Sequence, residues 1–157
     1  MTLIMVIIIQ GSAKDNEWSA KIIKILTKLS VPYRIYTASA HKTPEYLLSI
    51  LHKYENGKLR IVYICVAGRS NALGGFVDAN TLHPVINCPP QSLVFAGLDI
   101  LSSLRMPTGV ASLTVLEPDQ AALSAAKILG QVDLKIRNNV KKYKLVLKDE
   151  IIRSNKS

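Results

Sequence analysis

The segment Ser39-Ala40-His41-Lys42 contains the side chain of this sequence that is best suited to moving a proton. His41 lies between a hydroxyl group and a cation, and imidazole rings change their charge near neutral pH. A lysine beside the ring would attract an anionic ligand. Because histidines in loops also serve structural roles, this segment alone leaves both a catalytic and a structural role for His41 open.

The residues on either side predict that His41 follows a strand and precedes a helix. Residues 33–36 alternate in polarity and contain β-forming side chains. Pro44 then opens an apolar pattern with helical spacing, for which Thr43 is the expected N-cap. His41 is therefore expected at the carboxyl end of a strand, where open α/β sheets bind their ligands.

A second loop has the composition of a phosphate-binding loop. Gly11, Ser12 and Asp15 follow the apolar residues 3–9 and precede a helical pattern at residues 17–29. Backbone amides and the helix dipole face an anion at such a helix N-terminus. Many loops between a strand and a helix look similar, so this signal is weak by itself.

A third loop contains Gly68, Arg69 and Ser70, directly after the apolar residues 61–66. Such an unbroken apolar run is expected of a strand that is covered on both faces. Arginine can bind a carboxylate or phosphate with its planar fork of donors, and glycine lets the backbone approach a ligand closely. The alternative is that Arg69 is an ordinary solvated side chain.

The rest of the chain continues the alternation of strands and helices. The patterns predict strands at residues 85–87 and 110–116, helices at 96–104 and 118–128, and a basic C-terminal helix at 131–157. The expected fold is a single α/β domain over residues 1–157, a flavodoxin-like three-layer sandwich with a five-stranded parallel sheet in the order 2-1-3-4-5. In that order the loops after the first four strands open at one edge, which suits a phosphorylated small molecule.

The composition restricts the classes of protein to which the chain can belong. With 157 residues, 48% of them hydrophobic and 20% charged, the chain suits one globular domain. Residues 3–9 are too few to span a membrane and lead into a glycine loop, so we expect a cytoplasmic protein. Cys65 and Cys88 lack the spacing of metal ligands, and we expect no metal site.

The basic charge is concentrated in the C-terminal tail. Residues 131–157 contain eight Lys or Arg against three acids, which is +5 of the net charge of +9. Apolar residues recur among these lysines, as in a helix that packs on one face and is solvated on the other. A basic patch that binds RNA or an acidic partner is the alternative.

Five motifs, taken together, resemble a known family. They are Gly11-Ser12-x-x-Asp15, Ser39-Ala40-His41-Lys42-Thr43-Pro44, Ala67-Gly68-Arg69-Ser70-Asn71, Pro84-Val85-Ile86-Asn87-Cys88-Pro89-Pro90 and Ser102-Ser103-Leu104-Arg105-Met106-Pro107-Thr108-Gly109. In their order and spacing they resemble the 5-aminoimidazole ribonucleotide (AIR) carboxylases of purine biosynthesis. The resemblance extends over residues 3–130.

The chain is most similar to class II of that family, which uses carbon dioxide directly and also occurs as a domain of the animal bifunctional enzyme. Lys42 stands where the bacterial mutase form usually has arginine, and residues 68–71 differ from the Gly/Ala-rich run of the mutase. A mutase acting on the N5-carbamate of the same nucleotide therefore remains the near alternative. A non-catalytic nucleotide- or RNA-binding module is the alternative outside the family.

The resemblance implies roles for individual residues. Ser12 and Asp15, with Gly11, would hold the ribose and phosphate, while Ser39, Ala40 and Lys42 would line the phosphate and its surroundings. His41 would be the general acid–base group, and Gly68, Arg69 and Ser70 would bind the new carboxylate. The family also implies a homo-oligomer, an octamer or tetramer, that needs no cofactor, biotin or ATP. Lys14 departs from the family, because a serine is common at that position.

Overall fold

The structure is a computed structural model that describes residues 3–55 and 57–155. Its centre is a five-stranded sheet in the order β2-β1-β3-β4-β5, in which every neighbouring pair of strands is parallel. The strands are β1 (Ile4–Gln10), β2 (Tyr33–Thr37), β3 (Arg60–Val66), β4 (Val85–Asn87) and β5 (Leu113–Thr114). The predicted α/β sandwich and its strand order are confirmed.

Helices cover both faces of this sheet. They are α1 (Asn16–Lys28), α2 (Pro44–Glu55), α3 (Ala72–Ala79), α4 (Leu101–Leu104), α5 (Pro118–Leu129) and α6 (Leu134–Arg153). Short 3-10 segments, Ala13–Asp15 and Val94–Ile100, precede α1 and α4. Among the described residues, none of the helices combines the length and apolar character that crossing a membrane requires.

Apart from Gln10 at the end of β1 and Arg60 at the start of β3, these two strands are apolar, because both of their faces are buried. Val6 and Ile8 belong to a core shared with α1, α5 and α6, whereas Ile7 and Ile9 belong to a core shared with α2 and α3. All four side chains are completely buried. Alternate residues of β1 therefore pack against helices on opposite faces of the sheet. This alternation fixes the register of the sheet.

The register aligns the carboxyl ends of three strands. Gln10 of β1 pairs with Thr37 of β2 on one side and with Val66 of β3 on the other. Beyond these residues Gly11 donates a backbone hydrogen bond to the Val66 carbonyl at 2.9 Å, and Ala38 donates one to the Gln10 carbonyl at 3.0 Å. The loops that follow the three strands consequently start side by side.

Three predicted elements are corrected by the structure. The sequence patterns predict no helix after Asn71, but the run there forms α3, whose Gly74 amide donates to the Asn71 side chain at 3.4 Å. The helix predicted at 96–104 is α-helical only over Leu101–Leu104, because Phe95, Ala96 and Gly97 have positive φ angles. The strand predicted at 110–116 is reduced to Leu113–Thr114, since its only sheet partner in the described chain is the three-residue β4.

The C-terminal helix packs against the domain only in its first half. Ile136 and Val140 are buried in the core, and the Asn139 side chain donates to the Leu29 carbonyl at 2.9 Å. Beyond Tyr143 every described residue is exposed, including Ile151. The predicted pattern of one packed and one solvated face therefore holds for about the first ten residues of α6.

Candidate active site

The carboxyl ends of the strands border a cleft of about 460 Å³. All the residues predicted for the site line it: Gly11, Ser12, Asp15, Ser39, Ala40, His41, Lys42, Gly68, Arg69 and Ser70. The cleft also includes Lys14, Gln91 and Asp99. Residues that are far apart in sequence thus meet at the edge where parallel sheets bind ligands.

The loop after β1 is braced by one carboxylate. Asp15 Oδ2 accepts hydrogen bonds from the backbone amide of Ser12 at 3.0 Å and from its hydroxyl at 3.2 Å. The Asp15 amide in turn donates to the Ser12 carbonyl at 3.1 Å. This tight turn leads directly into α1, whose N-terminal amides favour an anion, while a carboxylate suits the hydroxyl groups of a sugar.

The loop after β2 is closed on itself, which leaves its two titratable side chains free. The Ser39 amide donates to Thr43 Oγ1 at 2.9 Å, and the Thr43 amide donates to the Ser39 carbonyl at 2.9 Å. Thr43 stands at the predicted N-cap position, directly before Pro44, and its carbonyl accepts from the Leu47 amide at 3.0 Å. Its hydroxyl, however, bonds to the Ser39 backbone instead of to the amides of α2. In the described chain the exposed side chains of His41 and Lys42 have no hydrogen-bond partner, so both are free to meet a ligand.

The loop after β3 has an unusual backbone conformation at Arg69, whose φ angle is 58°. Residues other than glycine seldom adopt this left-handed region. The Arg69 amide donates to Asp99 Oδ2 at 3.1 Å, and the Ser102 hydroxyl lies 2.9 Å from the Arg69 carbonyl. The buried Asn71 side chain donates to Ser103 Oγ at 2.6 Å. Hydrogen bonds with residues 99–103 therefore hold this loop in place.

Sequence reasoning missed the role of Asp99, Ser102 and Ser103. The family motif contains the two serines, but their contacts to Arg69 and Asn71 cross more than 30 residues of sequence. One signal was available, because three polar residues recur at helical spacing among Leu98, Leu101 and Leu104. In an otherwise apolar segment, such a polar stripe indicates specific hydrogen bonds.

The cysteines lie outside the chemistry of the cleft. Cys65 is completely buried in β3, where burial raises the pKa of its thiol far above the ordinary value. Burial likewise raises the pKa of the Cys88 thiol to about 12. Both groups are therefore neutral thiols at physiological pH, and neither is an activated nucleophile. Cys65 and Cys88 instead belong to the two hydrophobic cores on either side of the sheet.

Comparison with known proteins agrees with this geometry. The family model described as AIR carboxylase matches residues 5–150. The chain belongs to the AIR carboxylase family. Among its relatives in the AIR carboxylase family, the phosphoribosylaminoimidazole carboxylase of Archaeoglobus fulgidus is 47% identical over 148 residues, which cover 94% of this chain and 81% of the relative. The enzyme of the same name from Treponema denticola is 48% identical over 139 residues, or 88% and 87% of the two chains.

The fold matches that of an AIR carboxylase relative along nearly its whole length. The crystal structure of Treponema denticola PurE superimposes with a TM-score of 0.95 and 44% identity, covering 98% of this chain and 97% of that chain. The resemblance inferred from five short motifs is thus confirmed over the whole fold. In this member of the AIR carboxylase family the cleft combines an exposed histidine, three cations at Lys14, Lys42 and Arg69, and the carboxylate of Asp15.

Proposed function

We propose that the protein carboxylates C4 of 5-aminoimidazole ribonucleotide with carbon dioxide, giving 4-carboxy-5-aminoimidazole ribonucleotide. The observation that carries this proposal is the convergence of His41, the Ser12–Asp15 turn and Arg69 on one cleft. The names of the two relatives, both phosphoribosylaminoimidazole carboxylases, support it. The reaction requires no ATP, biotin or metal ion, because the aminoimidazole ring is itself nucleophilic.

The nucleotide is held by the first two loops. The N-terminal amides of α1, together with Ser39 and Lys42, bind the phosphate, and the Asp15 carboxylate accepts hydrogen bonds from the ribose hydroxyl groups. Gly11 and Ala40 present little side chain at these points, so the ligand can approach the backbone closely. This arrangement leaves the base to extend toward His41 and the loop that contains Arg69.

The chemical step forms one bond and breaks another at the same carbon. The electron pair of the ring attacks the carbon of carbon dioxide, and a C–C bond forms as one C–O π bond becomes an oxyanion. C4 then carries both the carboxylate and its original hydrogen. His41 accepts that proton, and the electrons of the broken C–H bond restore the aromatic ring. General base catalysis of this kind contributes about 10²- to 10⁴-fold.

The negative charge that develops on the carboxylate is stabilised by the third loop. Arg69 supplies a guanidinium, and the backbone amides at Gly68 and Ser70 supply further donors. In the described chain the Arg69 side chain has no ion-pair partner, so its charge is available to the ligand. Fixed donors aimed at a developing charge are among the strongest contributors to catalysis.

The decisive experiment compares two substrates with the purified protein. Aminoimidazole ribonucleotide with dissolved carbon dioxide should give product without ATP, whereas the N5-carbamate should not be converted directly. Turnover with the carbamate alone would move the protein to the mutase class while preserving the fold and His41. Inactivity with both substrates would favour a nucleotide- or RNA-binding module that uses the cleft and the basic α6.

Lys14 should contribute to nucleotide binding rather than to the chemical step. It is exposed, lines the cleft beside Ser12 and places a cation near the proposed phosphate site. We expect Lys14→Ala to raise the KM for aminoimidazole ribonucleotide by about three- to tenfold with little change in kcat, since exposed ion pairs contribute about 1 kcal/mol. Steady-state kinetics at two salt concentrations test this, with Lys127→Ala on α5 as the control. An unchanged KM, or an equal effect of the control, would contradict the role.

The apolar surface around the 3-10 segment supports assembly into a homo-oligomer. Leu93, Phe95 and Leu98 are 99%, 78% and 62% exposed, and this segment adjoins the cleft through Asp99. Contiguous exposed apolar side chains mark interaction surfaces. We expect a mass in solution that is several times the 17.3 kDa of one chain. Sedimentation analysis tests this, and Phe95→Glu should lower the mass whereas Lys127→Ala should not; a monomeric wild type would refute it.

The protein is proposed to act in the cytoplasm as one carboxylase domain. The free cysteines Cys65 and Cys88 are both buried and reduced, which suits a reducing compartment.

A further inference from the structure

The carboxylate of Asp99 binds the backbone amide of Arg69 and does not pair with the Arg69 guanidinium. Oδ2 accepts a hydrogen bond from the Arg69 amide at 3.1 Å, while no ion pair joins the two side chains in the described structure. The guanidinium therefore remains unpaired although a carboxylate lies beside it in the same cleft. An aspartate serving only to neutralise an arginine would be expected to bind the guanidinium directly.

The same segment holds the other side of the Arg69 peptide. The Ser102 hydroxyl lies 2.9 Å from the Arg69 carbonyl and 2.8 Å from the Asp99 carbonyl, so it ties the two residues together. Arg69 has a φ angle of 58°, a conformation that persists in a non-glycine residue only when the surroundings impose it. Asp99 and Ser102 supply that constraint at the amide and the carbonyl, respectively.

We propose that Asp99 is a positioning residue for carboxylate recognition. It holds Arg69 in the left-handed conformation, so that the loop presents its guanidinium and backbone amides to the carboxylate of the product. This inference rests on the proposed function, since it assigns Arg69 to the carboxylated nucleotide. Replacing Asp99 should consequently change the affinities for the two nucleotides unequally, because only the product carries the carboxylate that the loop recognises.

The test measures the binding of both nucleotides by titration calorimetry. We expect Asp99→Ala to lower the affinity for the carboxylated nucleotide by about tenfold, the usual effect of losing a hydrogen bond to a charged group. The affinity for aminoimidazole ribonucleotide should change by less than about twofold. Asp99→Asn keeps an acceptor oxygen and should recover most of the affinity. Ser102→Ala should act in the same direction as Asp99→Ala, by removing the bond at the carbonyl.

Asp78 provides a matched control. Its carboxylate accepts a hydrogen bond from the Ala111 amide at 2.7 Å, across 33 residues of sequence, but it does not line the cleft. Asp78→Ala should lower stability without changing the ratio of the two affinities. If Asp99→Ala fails to fold, Asp99→Asn and Ser102→Ala still measure that ratio.

The outcomes separate this inference from the proposed function. The positioning role would be overturned if Asp99→Ala lowered the affinities for both nucleotides equally or lowered neither. It would also be overturned if Asp99→Asn lost as much affinity as Asp99→Ala. Each of these results would leave the carboxylase assignment intact. A wild-type protein that binds neither nucleotide would overturn the assignment, and the inference with it. A selective loss of affinity for the carboxylated nucleotide in Asp99→Ala, with most of the affinity retained in Asp99→Asn, would establish the role.

Discussion

Replacing His41 with asparagine should abolish carboxylation while leaving the affinity for the nucleotide within about tenfold. The variant keeps a polar side chain of similar size on a loop that is held by Ser39 and Thr43, so the fold should not change. It removes the group that accepts the proton from C4, and we expect kcat to fall by at least 10²- to 10⁴-fold, the usual range for a lost general base. Product absorbance and calorimetric binding measure the two quantities.

The matched control is His52→Asn. His52 is exposed on α2 and does not line the cleft, so this variant should retain full activity. A fully active His41→Asn variant would contradict the acid–base assignment. Equal losses in the two variants would show that the effect is not specific to the cleft.

The largest effect on stability is expected from Gly74→Ala. A Cβ atom at this position would lie 1.6 Å from Asn87 Oδ1 and 2.6 Å from its Cγ, far inside any possible contact distance. Asn87 is completely buried, and its side chain donates to Ser112 Oγ at 2.9 Å, so it cannot move without losing that bond. Overpacking and the lost hydrogen bond together should lower the free energy of unfolding by about 2–4 kcal/mol. Denaturant unfolding at equilibrium measures the change.

The neighbouring glycine provides the control for this prediction. A Cβ at Gly75 would meet the Met106 sulfur at 3.3 Å, and a methionine side chain can shift to accept it. Both substitutions gain the same helix propensity, about 1 kcal/mol, so their difference isolates the contact with Asn87. Adding Asn87→Ala should reduce the cost of Gly74→Ala, giving a coupling energy of about 1 kcal/mol or more. Equal stabilities of the two alanine variants would contradict the steric argument.

The sheet and the three loops at its edge could be predicted because their signals are local. An unbroken apolar run such as residues 61–66 identifies a buried parallel strand, and the loops that follow such strands must share one edge. The positions of Ser12, His41 and Arg69 in one cleft follow from that rule alone. Their convergence therefore needed no knowledge of individual distances.

The parts that could not be predicted depend on contacts between distant segments. Two adjacent glycines disfavour a helix, yet α3 forms because Gly74 packs closely on Asn87 of the neighbouring strand. The left-handed turn at Phe95 and Ala96 replaces the first turns of an apparently helical pattern. Asp99 then lies beside Arg69, 30 residues away. Periodicity describes which face of an element is buried, but it does not identify the partner of a polar side chain.

The parallel arrangement of the strands also determines when during folding the cleft comes into existence. No two neighbouring parallel strands can be joined by a tight turn, so each pair forms only after a crossover of about a dozen residues or more has closed. β1 must pair with β3 before Gly11 can bond to the Val66 carbonyl and bring the first loop beside the third. It must also pair with β2 before Ala38 can bond to the Gln10 carbonyl and bring the second loop beside the first. Pairings of this kind are slow, whereas local helices form early. Recovery of catalytic activity after denaturation therefore reports the completed sheet, and helix content can return in chains that still have no site.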